Sequence, residues 1–222
     1  TKRRRVKVYW SYKIGEDGDQ FPPEFVGAPK KYLVGYDNSY DHSKCPAFKE
    51  YYKNTFVIEQ PFDLGIKFKD NRLETNLPQK AFDQYFHLSD TWLDGEYPEI
   101  QMMFNWFFWT KSKNVWIEQL SPPTLSRQGI EVVQGTFPIS SWFRPIVIGI
   151  KLLDNDVYLR KGTPISLIRF PSESLVQLEE RTPPTKLSSQ LKQQDTLRLF
   201  ARFKTWDIIM NRNKKERRCP FR

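Results

Sequence analysis

The chain is poor in the residues on which most enzymatic chemistry relies. Its 222 residues include two histidines, His42 and His87, and two cysteines, Cys45 and Cys219. So few imidazoles leave little material for a histidine general base. The cysteines lie far apart, each followed by proline, which is neither a disulfide framework nor a paired-thiol zinc site. A reducing compartment and a buried structural thiol at Cys45 are the expectation. Ten glycines are dispersed, and no phosphate-cradling loop, nucleophile elbow or dinucleotide fingerprint can be assembled from them. The longest apolar stretch, 100–109, is about ten residues and contains Gln101 and Asn105, against the roughly 20 needed to span a bilayer. No segment reads as a signal peptide or membrane span, so no membrane partner is expected.

Aromatic side chains are abundant: seven Trp, ten Tyr and seventeen Phe, enough large rings to build a sizeable core in one domain. The formal net charge is +9, and its cations gather at the two ends, Lys2 to Arg5 and Lys214 to Arg218.

Alternation of polar and apolar residues predicts strands at 7–12, 56–60, 64–69, 130–137, 146–153, 156–160 and 164–170. The runs 101–109 and 115–120, separated by the polar tip Lys111-Ser112-Lys113-Asn114, read as a hairpin. Proline at the first turn and Phe48 four residues before Tyr52 place a short helix over 46–52. Residues 22–46, rich in Pro, Gly, Asn and Asp, read as an irregular segment wrapping the core. The acidic run Gly15 to Asp19 is a hairpin tip, since it lacks the ordered ligand spacing of a calcium loop. The strands end at Phe170. A linker from Pro171 then leads to an amphipathic helix over about 186–212, whose stripe Leu187, Leu191, Leu199, Phe203, Trp206 and Met210 is expected to dock on the core. The fold class is therefore mainly β, a barrel or sandwich of antiparallel strands, with a C-terminal helix. The β-rich domain covers 1–170, and the linker and basic helix cover 171–222.

No catalytic set emerges. Asp41-His42-Ser43-Lys44-Cys45 lacks enough ligands for a metal, and His87 lies among aromatics as a half-buried structural residue. The pairs Asp37/Asp41 and Asp154/Asp156 sit in turns, where Asp serves local backbone hydrogen bonds. No catalytic residue, metal or cofactor is assigned. Rings interleaved with cations, Tyr9-Trp10 with Tyr12-Lys13 and Phe200 to Trp206, could stack on single-stranded bases; burial of the rings with the cations pointing outward is the simpler use. The surface for nucleic acid or another partner would comprise Arg3, Arg4, Arg5, Lys204, Trp206, Lys214, Lys215, Arg217 and Arg218.

Ser121-Pro122-Pro123-Thr124-Leu125-Ser126-Arg127-Gln128-Gly129-Ile130-Glu131-Val132-Val133-Gln134-Gly135, then Arg144, then Ile148 to Leu153, then 156–170 with Lys161-Gly162-Thr163-Pro164-Ile165, resembles the second half of the dUTPase-like β-clip fold. That resemblance implies a trimer and a nucleotide site using Arg144, Lys161 and Ser126. In this fold Gly162 supplies the turn, and Ile165, Leu167 and Phe170 share one face of the closing strand. The acidic water-orienting residue and the tyrosine of that family are replaced by Phe137-Pro138-Ile139-Ser140-Ser141-Trp142, and its Gly-rich tail by the basic helix, so the activity is not implied. Cys45-Pro46-Ala47-Phe48, Pro61-Phe62-Asp63-Leu64, Gly135 with Phe137, Trp142-Phe143-Arg144-Pro145 and Lys161 to Ile165 together resemble uncharacterised proteins of tailed phages, particularly those of marine cyanobacteria. This resemblance implies a non-enzymatic protein in the infected cytoplasm or the virion that binds a protein partner or further copies of itself. Divergent nucleotide binding and single-stranded nucleic-acid binding are the alternatives.

Overall fold

A computed structural model describes residues 5–12, 27–35, 44–70, 72–87, 98–187 and 189. The described residues include fourteen strands, three short helices, helical residues at 185–187 and a 3-10 turn at Leu125–Gln128. In chain order the strands are β1 Arg5–Ser11, β2 Lys30–Lys31, β3 Thr55–Glu59, β4 Leu64–Lys69, β5 Arg72–Thr75, β6 Phe86–His87 and β7 Glu99–Trp109. They continue as β8 Trp116–Leu120, β9 Ile130–Val132, β10 Gly135–Pro138, β11 Pro145–Leu152, β12 Asp156–Leu159, β13 Pro164–Arg169 and β14 Leu175–Glu180. The helices are α1 Tyr32–Gly35, α2 Pro46–Tyr52 and α3 Gln79–Tyr85.

Three sheets result. The first runs β14-β1-β7-β11-β9 with β6 beside β7, the second β10-β8-β13-β3-β2, and the third β12-β4-β5. One core joins them: Val8, Ile100, Met102 and Ile148 of the first sheet, Phe56, Ile58, Ile117 and Ile168 of the second, and Leu64, Ile66, Val157 and Leu159 of the third. Burying each such side chain is worth about 1.5–3 kcal/mol, so a shared interior holds the sheets together. The alternation of β11, buried at Ile146, Ile148, Ile150 and Leu152, is the period-two pattern of a half-covered strand.

The expected hairpin of 101–109 with 115–120 does not form. β7 pairs with β1 and β11 in the first sheet, whereas β8 pairs with β10 and β13 in the second. The polar tip, with Asn114 at φ 57, carries the chain from one sheet to the other. The physical reason is burial on both sides: Phe107 and Trp109 lie on the face opposite Trp106 and Phe108, and all four are buried. Phe107 and Trp109 form a second cluster with Tyr9 and Phe143, and the Arg181 guanidinium lies 4.8 Å over the Tyr9 ring.

The single strand expected at 130–137 is likewise two, β9 in the first sheet and β10 in the second. Val133 bonds back to the Gly149 carbonyl at the break, 2.8 Å. Leu175–Glu180, inside the stretch read as a linker, is the edge strand β14. It runs parallel to β1, with Arg5 opposite Leu175 and Trp10 opposite Glu180, so the sheets are not purely antiparallel. Ile165, Leu167 and Phe170 do not share one face: a register shift between Pro164 and Ser166 leaves Ile165 and Phe170 in the main core and Leu167 in a separate cluster.

The helix over 46–52 forms with the expected bounds, its Phe48 and Tyr52 rings 4.6 Å apart. Leu187, the first residue of the expected C-terminal stripe, packs on the Tyr9–Phe107–Trp109–Phe143 cluster. Residues 188 and 190–212 of the expected helix, the expected hairpin tip 15–19, and residues 22–26 and 36–43 lie outside the described residues. Among the described residues no helix is long and apolar enough to cross a membrane.

Candidate functional site

The second sheet has one face toward the main core and another that α1 and α2 cover only in part. Strand pairing sets Leu120, Leu167 and Val57 in one row of that outer face, and Tyr32, Leu33, Phe48 and Tyr52 pack over them. The next row is Glu118, Arg169 and Thr55. Here the side chains become polar, Thr55 fully buried and Arg169 and Glu118 partly open.

Arg169 is the centre of this row. Its Nε and a terminal guanidinium nitrogen both donate to Oε2 of Glu118, and its Cζ lies over the Tyr51 ring, 3.8 Å from the centroid. The side chains of Arg169 and Glu118 are 17% and 25% exposed, so the pair is screened by water much less than a surface pair would be. Tyr51 is 49% exposed, and Trp116, two residues before Glu118 on the same face of β8, is 40% exposed. The result is a charge pair flanked by two partly open rings.

Beside it, the end of α2 and the chain after β13 enclose an open groove of about 440 Å³, lined by Tyr51, Lys53, Asn54, Arg169, Ser172 and Glu173 among others. Asn54 holds its walls together. Its amide nitrogen donates to the carbonyls of Ser172 and Ser174, both at 2.9 Å, and its carbonyl oxygen accepts from the Val176 backbone at 2.9 Å. Lys53 pairs with Glu50. The groove is therefore polar, rigid along one wall, and furnished with paired charges. Among the described residues no cluster of three or more His, Cys, Asp or Glu side chains could hold a metal ion.

Arg144, Lys161 and Ser126, the residues implied by the β-clip resemblance, do not line this groove. Arg144 is half-buried just before β11, its guanidinium 4.7 Å from the Trp142 ring centroid and 5.4 Å from that of Phe137. Lys161 is exposed in the turn between β12 and β13, where its backbone N–H donates to Asp63 Oδ1 at 2.8 Å and Gly162 takes φ 85. Ser126 is exposed in the 3-10 turn, and its carbonyl accepts the Gly129 N–H. Of the expected partner surface, Arg5 is exposed at the start of β1; Arg3, Arg4, Lys204, Trp206, Lys214, Lys215, Arg217 and Arg218 lie outside the described residues. Tyr9 and Trp10 are buried, the simpler of the two uses of the ring-rich first strand.

Two local expectations are corrected. His87 is exposed on β6, because the short pairing with β7 turns Phe86 inward and His87 outward. Cys45 is exposed at the start of α2, and its thiol is held below the ordinary range by the Phe48 and then the Ala47 backbone N–H groups, which stabilise the thiolate. Since thiolate is the attacking form, alkylation of Cys45 by iodoacetamide in the folded protein should reach half-maximal rate at a lower pH than that of an unstructured peptide thiol. Peptide mapping across a pH series measures this, and a profile matching the free thiol would contradict it.

Sequence reasoning missed the Arg169–Glu118–Tyr51 set. Its only sequence signal was Arg169 terminating an apolar run, Ile165 to Ile168 with Ser166, just before Phe170-Pro171.

No family model matches the chain, and no curated protein matches it. Among solved structures the chain is similar to one titled as the native EIAV dUTPase, with TM-score 0.34 and 11% identity over 59% of this chain and 82% of that one. A likeness of that size carries no argument about fold or activity.

Proposed function

We propose that this protein acts by binding, as a phage-type virion component or accessory factor that docks on a host or viral assembly through the outer face of its second sheet. The observation that carries the reading is the set Tyr51, Arg169, Glu118 and Trp116: two partly exposed rings and a clamped arginine beside a polar groove. Aromatic residues and arginine dominate binding energy at protein interfaces, and a preformed arginine loses little side-chain freedom on docking. The resemblance of Trp142 to Pro145 and Lys161 to Ile165 to tailed-phage proteins supplies the setting. Self-association belongs to the same proposal, a trimer being what the β-clip resemblance implies, and sedimentation velocity distinguishes it from a monomer.

Mass spectrometry of purified particles and of complexes isolated from infected cells tests the reading. The wild-type chain is expected in one of them. A chain carrying Tyr51→Ala and Trp116→Ala is expected to be depleted at least tenfold while melting within a few degrees of wild type, because both rings are partly open and neither belongs to a buried cluster. Absence of the wild-type chain from both would overturn the proposal.

A further inference from the structure

The third sheet presents a different surface. Alternation along its strands turns Leu64, Ile66, Val157 and Leu159 into the core and sends Gly65, Lys67 and Lys69 of β4 and Asp156 and Tyr158 of β12 outward. Tyr158 pairs with Gly65 and is 56% exposed, the most open of the large apolar side chains among the described residues. A Cβ placed on Gly65 would stand 3.5 Å from Cδ2 of Tyr158, so the ring rests on the bare glycine backbone. Glycine within a strand weakens it and often marks a close approach. Asn76 completes the row, its side-chain oxygen accepting the Gly65 N–H at 2.8 Å and its amide donating to the Asp63 carbonyl at 3.2 Å. The ring is thus supported from below and open above.

Charge surrounds it. The outward cations Lys67, Lys69, Arg72 and Arg160 outnumber by one the outward carboxylates Asp156, Glu74 and Asp63. Asp156 pairs with Lys67 at 3.5 Å and Glu74 lies across from it, so Lys67 is the neutralised centre. Arg160 remains at one end of the face, and Lys69 beside Arg72 at the other. Rows of outward residues on one face are about 7 Å apart, so these cations flank the ring along a line. Nearby, Asp63 is engaged by the Lys161 backbone.

We propose that this face binds single-stranded nucleic acid, with Tyr158 stacking on one base and Arg160, Lys69 and Arg72 following the backbone phosphates. An open ring on a sheet with an excess of cations suits a strand whose bases are unpaired. A duplex keeps its bases stacked internally and offers no free ring face to Tyr158. The face shares no residue with the groove beside Arg169.

The full chain is titrated into a labelled twelve-nucleotide oligothymidylate, with fluorescence anisotropy recorded over a salt series. Wild type is expected to bind, Tyr158→Ala to bind about tenfold or more weakly with an unchanged salt slope, and Tyr158→Phe to bind as wild type. Arg160→Ala is expected to lower the slope of log affinity against log salt by about one. Tyr158 is exposed, so thermal melts of these variants should overlay wild type. No binding by wild type, equal binding by Tyr158→Ala, which would place the strand on the chain ends, or equal affinity for a duplex of the same length would each overturn the proposal. Displacement of the oligonucleotide by an equal concentration of thymidine monophosphate would also overturn it, in favour of a mononucleotide site.

Discussion

Replacing Asn54 by alanine is expected to lower the unfolding free energy by about 3 kcal/mol and the melting temperature by roughly 6–12 °C. Asn54 is a buried polar side chain, 2% exposed, in the turn between α2 and β3. Its three side-chain hydrogen bonds reach Ser172, Ser174 and Val176, more than a hundred residues along the chain. Alanine removes all three and leaves the Val176 N–H, a buried donor, without its acceptor. Leaving a buried group unsatisfied costs about 1–3 kcal/mol, and each further bond lost adds about 0.5–1.5 kcal/mol. Asn54→Asp is expected to be worse than alanine. The carboxylate keeps the acceptor for Val176 but turns an anion onto two carbonyl oxygens that had received N–H groups. Urea denaturation of the three proteins measures the order. An aspartate variant as stable as wild type would show that the network does not hold β14 and the groove wall.

The second large effect is at Phe170, which lines the groove yet is only 1% exposed. Its ring meets Phe56 at 5.9 Å and Phe108 at 6.0 Å, both in edge-to-face geometry. Phe170→Ala is expected to cost about 3–5 kcal/mol, from the lost burial and from the void left between the first and second sheets. Phe170→Leu keeps most of the volume and is expected to cost under about 1.5 kcal/mol. A double-mutant cycle with Phe108→Leu should give a coupling of about 0.5–1.5 kcal/mol, the increment that ring pairs add to simple burial. Additive losses would mean that the two rings share only volume.

The groove carried little signal in the sequence, where nothing singled out Asn54 or Arg169. Glu118 and Arg169 are 51 positions apart, and no spacing rule connects them. They meet because β8 and β13 are neighbours in the second sheet, and Tyr51 reaches them because α2 lies over β3 and β13. Tyr158 was equally silent: an alternating strand with an outward tyrosine is ordinary until Gly65 is found beneath it.

Much of the local structure was legible. α2 has proline at its first turn and a ring pair four residues apart, and it formed over the expected residues. β4, β11, β12 and β13 lie within a residue or so of the segments marked by alternation. The strands at 72–75 and 175–180 and the helix at 79–85 were not marked. The first two are short or polar edge strands with little alternation to detect, and the third has no cap or long apolar stripe.

That the chain is mainly β, and where most of its strands run, follows from residue order alone, because the alternation of burial along a strand is a property of neighbouring residues. Which sheet each strand joins depends on distant partners: 101–109 and 115–120 part company, 130–137 splits, and β14 returns to lie parallel to β1. Both faces of the run from Trp106 to Trp109 need cover, and no turn nearby can supply it. Partners distant in the chain do, and they place Arg169 against Glu118 and Tyr158 upon Gly65.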